Sequence, residues 1–284
     1  MTAVIESSST QVIPPYVSID LTRKCQLQCS HCYNSSGPDG DHGTMSREDW
    51  IRVINQVAAI GAGEVRFIGG EPTMHPDGPR LVREALRLGL RVELFSNLVR
   101  IPDEWWGLFG QDGVSLATSY YSDDPDRHNA ITGRRSHQRT RENIRRAVED
   151  GIPIRVGIVD IADSQRVKEA RNDLNSLGVA RIHTDRIRAF GRGSQGQAPD
   201  ISQLCGQCGT GRAAIGPNGA VSPCVMAHWL RVGNVHDSDV ATILNGTAMA
   251  EANASIQAAS RSLDCDPDGE CSPGHPSGGC SPRT

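Results

Sequence analysis

Two rhythms of apolar and polar positions alternate along this chain. Short, mostly apolar runs recur at 16–21, 64–68, 90–95, 113–118 and 152–159, with a sixth inside 179–190. Their length and β-branched content predict strands. Between them lie segments with apolar residues every third or fourth position, the spacing of one buried helix face. In the first of these, Ser46 with Glu48 and Asp49 reads as a helix cap with an acidic first turn. Trp50, Ile51, Val53, Ile54, Val57, Ala58 and Ile60 then form the apolar stripe, and Gly61 and Gly63 end it. Further helices are predicted over 78–88 (Leu81, Val82, Ala85, Leu86 and Leu88 inward), around 103–109, and over 139–149 and 164–177.

Six strand–helix alternations joined by short loops predict an α/β fold, a parallel sheet with helices outside. The pattern alone does not separate an open sheet from a barrel. Residues 1–13 read as a loose tail. Near 192–199 the composition turns to Gly, Ser, Gln and Pro, the mark of a linker. Beyond it only 240–259 has clear helical character. The stretch from 263 to 284 is rich in Gly, Pro, Ser and Cys, with too few apolar residues for a core, so the expectation is a tail either disordered or ordered by metal. The expected organisation is a tail at 1–13, a main domain at 14–193 and a small cysteine-rich domain at 194–284.

The 284 residues carry a net charge of −4 and a pI near 6.1. With no basic stripe, nucleic acid is not an expected partner. No apolar stretch approaches the roughly 20 residues of a membrane span, and no signal peptide opens the chain. A cytoplasmic setting is expected, where the nine cysteines suit metal better than disulfides.

Three of those cysteines, Cys25, Cys29 and Cys32, stand at CxxxCxxC spacing just after the first strand. A loop there can fold three thiolates onto one iron–sulfur cluster. Three ligands on four irons leave one iron open to a small molecule, as catalytic metal sites keep a vacant position. About 40 residues on, Gly69-Gly70-Glu71-Pro72 follows the second strand.

The two motifs together resemble the radical S-adenosylmethionine (SAM) superfamily. The resemblance implies a partial (β/α)6 barrel over 14–193. It also implies a [4Fe–4S] cluster on Cys25, Cys29 and Cys32 whose open iron is chelated by SAM. One electron then cleaves SAM, and the 5′-deoxyadenosyl radical takes a hydrogen atom from substrate. By the same resemblance Tyr33 lies near the adenine, and Gly69 and Gly70 meet the SAM amino group. Glu71 supports that loop. Ser96-Asn97 and Ser119 lie near SAM, although the usual Ser-x-Asp-Gly is replaced here by Ser119-Tyr120-Tyr121-Ser122. Arg188 and Gly191-Arg192-Gly193 resemble the family's strand-six end, where an arginine can pair with a carboxylate of SAM or substrate. Bland readings stand beside these: a core tyrosine for Tyr33, a polar turn for Ser96-Asn97, a surface loop for Arg188 and a structural role for His128.

The other six cysteines are Cys205, Cys208, Cys224, Cys265, Cys271 and Cys280. Asn218-Gly219 is a strong hairpin turn, and Pro223-Cys224 follows it. This segment resembles the SPASM/twitch extensions of radical SAM enzymes, which hold auxiliary [4Fe–4S] clusters. A zinc ribbon would need a second CxxC, which is absent. The tail departs from the full SPASM pattern: Cys265 and Cys271 keep one spacing, and Cys280 comes too late. One auxiliary cluster or two remain open, as do His275 as a ligand and a spare thiol as hydrogen-atom donor.

SPASM/twitch relatives often modify ribosomally made peptides, by crosslinking or epimerisation, and that substrate class is expected here. The alternative is an epimerase or dehydrogenase of a small natural product such as an aminoglycoside sugar. An electron donor such as flavodoxin or ferredoxin is implied. A separate leader-peptide recognition protein is a further expected partner, since only about a dozen residues precede the barrel. A non-enzymatic redox or metal-sensing module is the reading from another class.

Overall fold

The computed structural model describes residues 14–161, 165–206, 208–209 and 211–261. The expectations for the tail at 1–13 and for Cys265, Cys271, His275 and Cys280 fall outside the described residues.

Six parallel strands follow one another across the sheet: β1 (Tyr16–Asp20), β2 (Glu64–Ile68), β3 (Arg91–Phe95), β4 (Val114–Ser119), β5 (Ile154–Asp160) and β6 (Arg181–Arg186). Helices cross between them: α1 (Arg47–Ala59), α2 (Gly78–Arg87), α3 (Asp103–Phe109), α4 (Pro125–Thr132), α5 (His137–Glu149) and α6 (Val167–Ser176). Sequential neighbours joined by helical crossovers are the signature of an α/β winding. The strip of sheet between β6 and β1 stays open, so the barrel is partial.

Alternation along each strand sorts the side chains. Val17 and Ile19, Val65 and Phe67, and Val92 and Leu94 join one core with Trp50, Val53 and Leu81 from the helices. Residues of the opposite parity face the inside of the curve, and there the strands are polar. Arg66 reaches Glu64 at 2.6 Å and Glu93 at 3.1 Å, and Arg155 holds Glu93 through both nitrogens at 2.5 and 3.0 Å. The Arg66 guanidinium lies 3.5 Å over the Tyr16 ring. These are desolvated charges, each with a partner, as burial demands.

Several elements differ from expectation. Residues 125–132 form a full helix capped by Asp124, whose side chain accepts from the amides of Asp126 and Arg127. The predicted helix over 240–259 is two, α7 (Val240–Leu244) and α8 (Thr247–Arg261), broken at Asn245-Gly246. The larger difference is a long-range one. Strand β7 (Arg212–Ile215) pairs in parallel with β1, and β8 (Ala220–Ser222) and β9 (Gly233–Asn234) extend the same sheet antiparallel. The sheet therefore has nine strands and runs on past the segment read as a linker. Among the described residues no helix is long and apolar enough to cross a membrane.

Candidate functional site

The carboxyl ends of the strands converge on a cavity of about 210 Å³. Cys25, Cys29 and Cys32 line it, with Gly69 and Gly70 beside them, Ser96 and Asn97 at the end of β3, and Ser119 at the end of β4. Arg188 and Tyr33 complete the set of cavity residues expected from sequence.

The cysteine loop is fixed by its own backbone. Arg23 N–H bonds to Asp41 O at 2.8 Å, Cys25 N–H to Gly37 O at 3.0 Å and Gly37 N–H to Arg23 O at 3.2 Å. The loop after β2 docks onto it: Gly70 N–H donates to Thr22 O at 2.7 Å and Glu71 N–H to Lys24 O at 2.8 Å. A Cβ on Gly70 would stand 2.3 Å from Lys24 O, and one on Gly69, at φ 138°, 2.6 Å from Thr22 O. The close approach these glycines permit is first of all to the chain itself.

Glu71 is wholly buried. One carboxylate oxygen accepts from the Thr73 amide and hydroxyl, the other from the Asn97 amide at 2.8 Å. Burial pushes its pKa up, and those donors pull it back. Its oxygens are thus engaged by protein, tying the β2 loop to the end of β3. Asn97 carries the tie onward: its amide nitrogen lies 3.6 Å from Cys25 Sγ, and its oxygen accepts from Gln26 Nε2 at 3.0 Å.

Burial outweighs the one cation near the thiols, Arg192, which pulls the Cys29 thiol down. Burial is the main cause that raises Cys25 and Cys29 to about 12, with Glu71 adding to the first and Cys32 to the second. Binding as thiolates therefore calls for a positively charged group in the cavity. Around the same cavity, His31 Nδ1, Tyr33 Oη, Thr118 Oγ1 and His183 Nε2 are buried without a hydrogen-bond partner among the described residues. Native interiors rarely leave such atoms orphaned. Thiol donors and unpaired polar atoms around one space fit a cluster with a polar ligand on it.

Tyr121 belongs to the site although no motif marked it. Its hydroxyl is hydrogen-bonded with Ser119 and lies against the Cys29 thiol. Its ring meets His31 and His128 edge-on at 5.0 and 5.4 Å. The cue in the sequence was Tyr121 standing where the family pattern has Asp. Arg188 bonds Asp185 at 3.5 Å and the Gln203 carbonyl at 3.3 Å.

Tyr33 links this cavity to the second cysteine group. It packs against a small core of Phe190, Leu204, Cys208, Ala227 and Ile256, with Cys32 and Cys224 both among its electrostatic neighbours. In that second group Cys208 Sγ and Cys224 Sγ are 3.0 Å apart, and Cys205 hydrogen-bonds with Cys208. The β7–β8 hairpin brings them there. Its Gly219 turns at φ 78°, and Pro217 O accepts from the amides of Thr44 and Met45 at 2.9 and 3.1 Å. Val225 and Met226, just beyond Cys224, reach the cavity wall. Among the described residues no three His, Cys, Asp or Glu side chains gather tightly enough to hold a single metal ion.

Comparison with known proteins places this arrangement. The profile of the radical SAM superfamily matches residues 19–164, and that of an iron–sulfur cluster-binding domain, SPASM, matches 205–273. A PqqA peptide cyclase of Streptomyces rochei is 31% identical over 199 residues, covering 67% of this chain and 54% of that protein. The sporulation killing factor maturation protein SkfB of Bacillus subtilis is 28% identical over 201 residues, covering 69% of this chain and 48% of that one. The chain thus spans about half the length of these curated relatives. Streptococcus suis SuiB, solved with its precursor peptide SuiA, shares the fold at a TM-score of 0.72 and 16% identity, over 87% of this chain and 67% of its own. With just over half of its residues matched by the first profile, the chain belongs to the radical SAM superfamily.

Proposed function

We propose that this chain is a SAM-dependent enzyme that modifies a ribosomally made peptide. One observation carries the reading: three thiols, one buried and two half-buried, and four polar atoms without a partner among the described residues line a single cavity at the carboxyl ends of parallel strands. Cys25, Cys29 and Cys32 are the residues that would hold the SAM-binding [4Fe–4S] cluster, and Cys205, Cys208 and Cys224 part of an auxiliary one. When bound, such a cluster would supply the one-electron chemistry that cleaves SAM and opens the way to hydrogen-atom abstraction from substrate. The chain's own part is to hold the thiols, keep water from the cavity and orient the ligands. Ser119 and Tyr121 stand beside Cys29 and form one polar wall, and the ends of β5 and β6 form the other.

The relatives support the peptide as substrate, since one is a peptide cyclase by name, another is a maturation protein, and SuiB was solved with a precursor peptide. A flavodoxin- or ferredoxin-type donor would supply the electron, and a separate protein could present the peptide's leader segment. The test is anaerobic. Reconstituted, dithionite-reduced protein is given SAM with and without short peptides encoded beside its gene. The expected result is 5′-deoxyadenosine whose yield rises with one peptide, and a peptide altered in mass or in residue stereochemistry. If SAM is cleaved but no peptide responds while an aminoglycoside-type sugar is converted, the substrate reading is overturned. If SAM is not cleaved at all, the enzymatic reading falls.

A further inference from the structure

Strand β6 is a free edge that does not meet β1, whose other edge β7 takes, and the loop after β6 lies on this open side. Gly191-Arg192-Gly193 leaves β6 and lies directly on the cysteine loop. Arg192 N–H donates to Cys32 O at 2.9 Å. Its side chain forks: Nε donates to Cys29 O at 2.7 Å and Nη2 to Ser36 O at 2.7 Å. A Cβ on Gly191, at φ 53°, would stand 2.3 Å from Cys32 O, and one on Gly193 3.3 Å from His31 O. Gly191 thus allows contact with the cysteine loop that no other residue would permit, Gly193 clears Arg188 O, where a Cβ would stand at 2.6 Å, and the arginine between them takes up three carbonyls of the cysteine loop.

We propose that Arg192 is a positioning residue. It straps the cysteine loop across the open seam and holds a fixed positive charge beside Cys29, rather than pairing with a carboxylate of SAM or substrate. The bond from Nε to Cys29 O at 2.7 Å puts the guanidinium directly against the cysteine loop. A guanidinium suits both tasks, because its planar fork grips two carbonyls at once and it never loses its proton. The charge part rests on the cluster assignment above; the strap part does not.

The test separates them. In cluster-free protein, amide hydrogen exchange is followed over 25–36 in wild type, Arg192→Gln and Arg192→Lys. Loss of charge-assisted bonds to two carbonyls should speed exchange there on the order of tenfold in both variants, with α5 (His137–Glu149) unchanged as the control for global unfolding. After reconstitution, the reduction potential is read on the paramagnetic signal that added SAM perturbs. Arg192→Gln should lower it, because a nearby cation favours the more negative reduced cluster. Arg192→Lys keeps the charge and should stay near wild type. Unchanged exchange in both variants overturns the strap. A potential that moves equally in both overturns the charge role and leaves only loosening. Wild type that takes up no reducible cluster refutes the cluster assignment instead, while the exchange result still stands.

Discussion

The two thiol groups are built in different ways. Cys25, Cys29 and Cys32 sit in a loop that at least five segments hold, one of them the end of α4, whose Thr132 and Ile131 carbonyls accept from the Gln28 and Ser30 amides at 3.0 Å. The β2 loop holds it through Gly70 and Glu71, the end of β3 through Asn97, the loop at 37–41 through backbone pairs, and the β6 loop through Arg192. Cys205, Cys208 and Cys224 are joined chiefly to one another, with the Cys208–Cys224 pair at 3.0 Å. Their hairpin hangs on β1 and on the amides of Thr44 and Met45. The contrast teaches that the first group is preorganised by the fold before anything binds. The second is gathered by short local structure, and metal has more of the ordering to do.

Changes to the first group should therefore cost the most. Cys29→Ala is expected to abolish 5′-deoxyadenosine formation by reduced, reconstituted protein, because an iron loses its thiolate. Full cleavage by that variant would contradict the ligand assignment. Cys224→Ala should leave SAM cleavage in place and remove peptide product, read by chromatography of both. Normal turnover there would mean the second group is not needed, and lost SAM cleavage would mean the two groups do not act separately.

A milder test strikes the docking rather than the ligands. In Gly70→Ala the new methyl meets Lys24 O at 2.3 Å. Backbone is on both sides of that contact, so the β2 loop must shift, at a cost of roughly 1–3 kcal/mol. A fall in the thermal midpoint of the cluster-free protein checks it. An unchanged midpoint would show that the two loops are not tightly docked.

The smallest effect concerns acid. His128 is buried between Tyr120 and Tyr121, and burial lowers it to about 3 from an ordinary 6.5. The unfolded chain therefore binds this proton more readily than the folded one. Stability is fully present above about 6.5 and is lost as pH falls toward 3. Burial lowers His31, His75 and His183 to about 4, in the same direction. Urea midpoints should drop below pH 6.5, and His128→Phe should flatten the slope by up to about 1.4 kcal/mol per pH unit. An identical slope in the variant would mean His128 is not held neutral by the fold.

Much of this was legible in the sequence where the signal is local. The strand at 64–68 and the helix at 103–109 fall on their predicted bounds, as their apolar runs and end signals are self-contained. The Ser46 cap is present, with Asp49 reaching back to close a capping box. What stayed hidden depends on pairs distant in the chain. Nothing near Arg212 announces that Ala213 will lie beside Val17. Nothing in the sequence marks Arg66, Glu93 and Arg155 as partners, yet they form a buried set, because only the curve of the sheet brings them together. Arg192 grips a carbonyl 163 positions away. Tyr121 reached the site through strand parity and the turn after β4, not through any motif.

The account rests on a cluster held by the first group and independent of the second. Its most direct test is iron and sulfide content after anaerobic reconstitution, in wild type and in a Cys25/Cys29/Cys32→Ala variant. The account predicts that the variant loses ~4 irons together with all SAM cleavage, and keeps the iron of the second group. A variant that keeps every iron, or one that still yields 5′-deoxyadenosine, would contradict it.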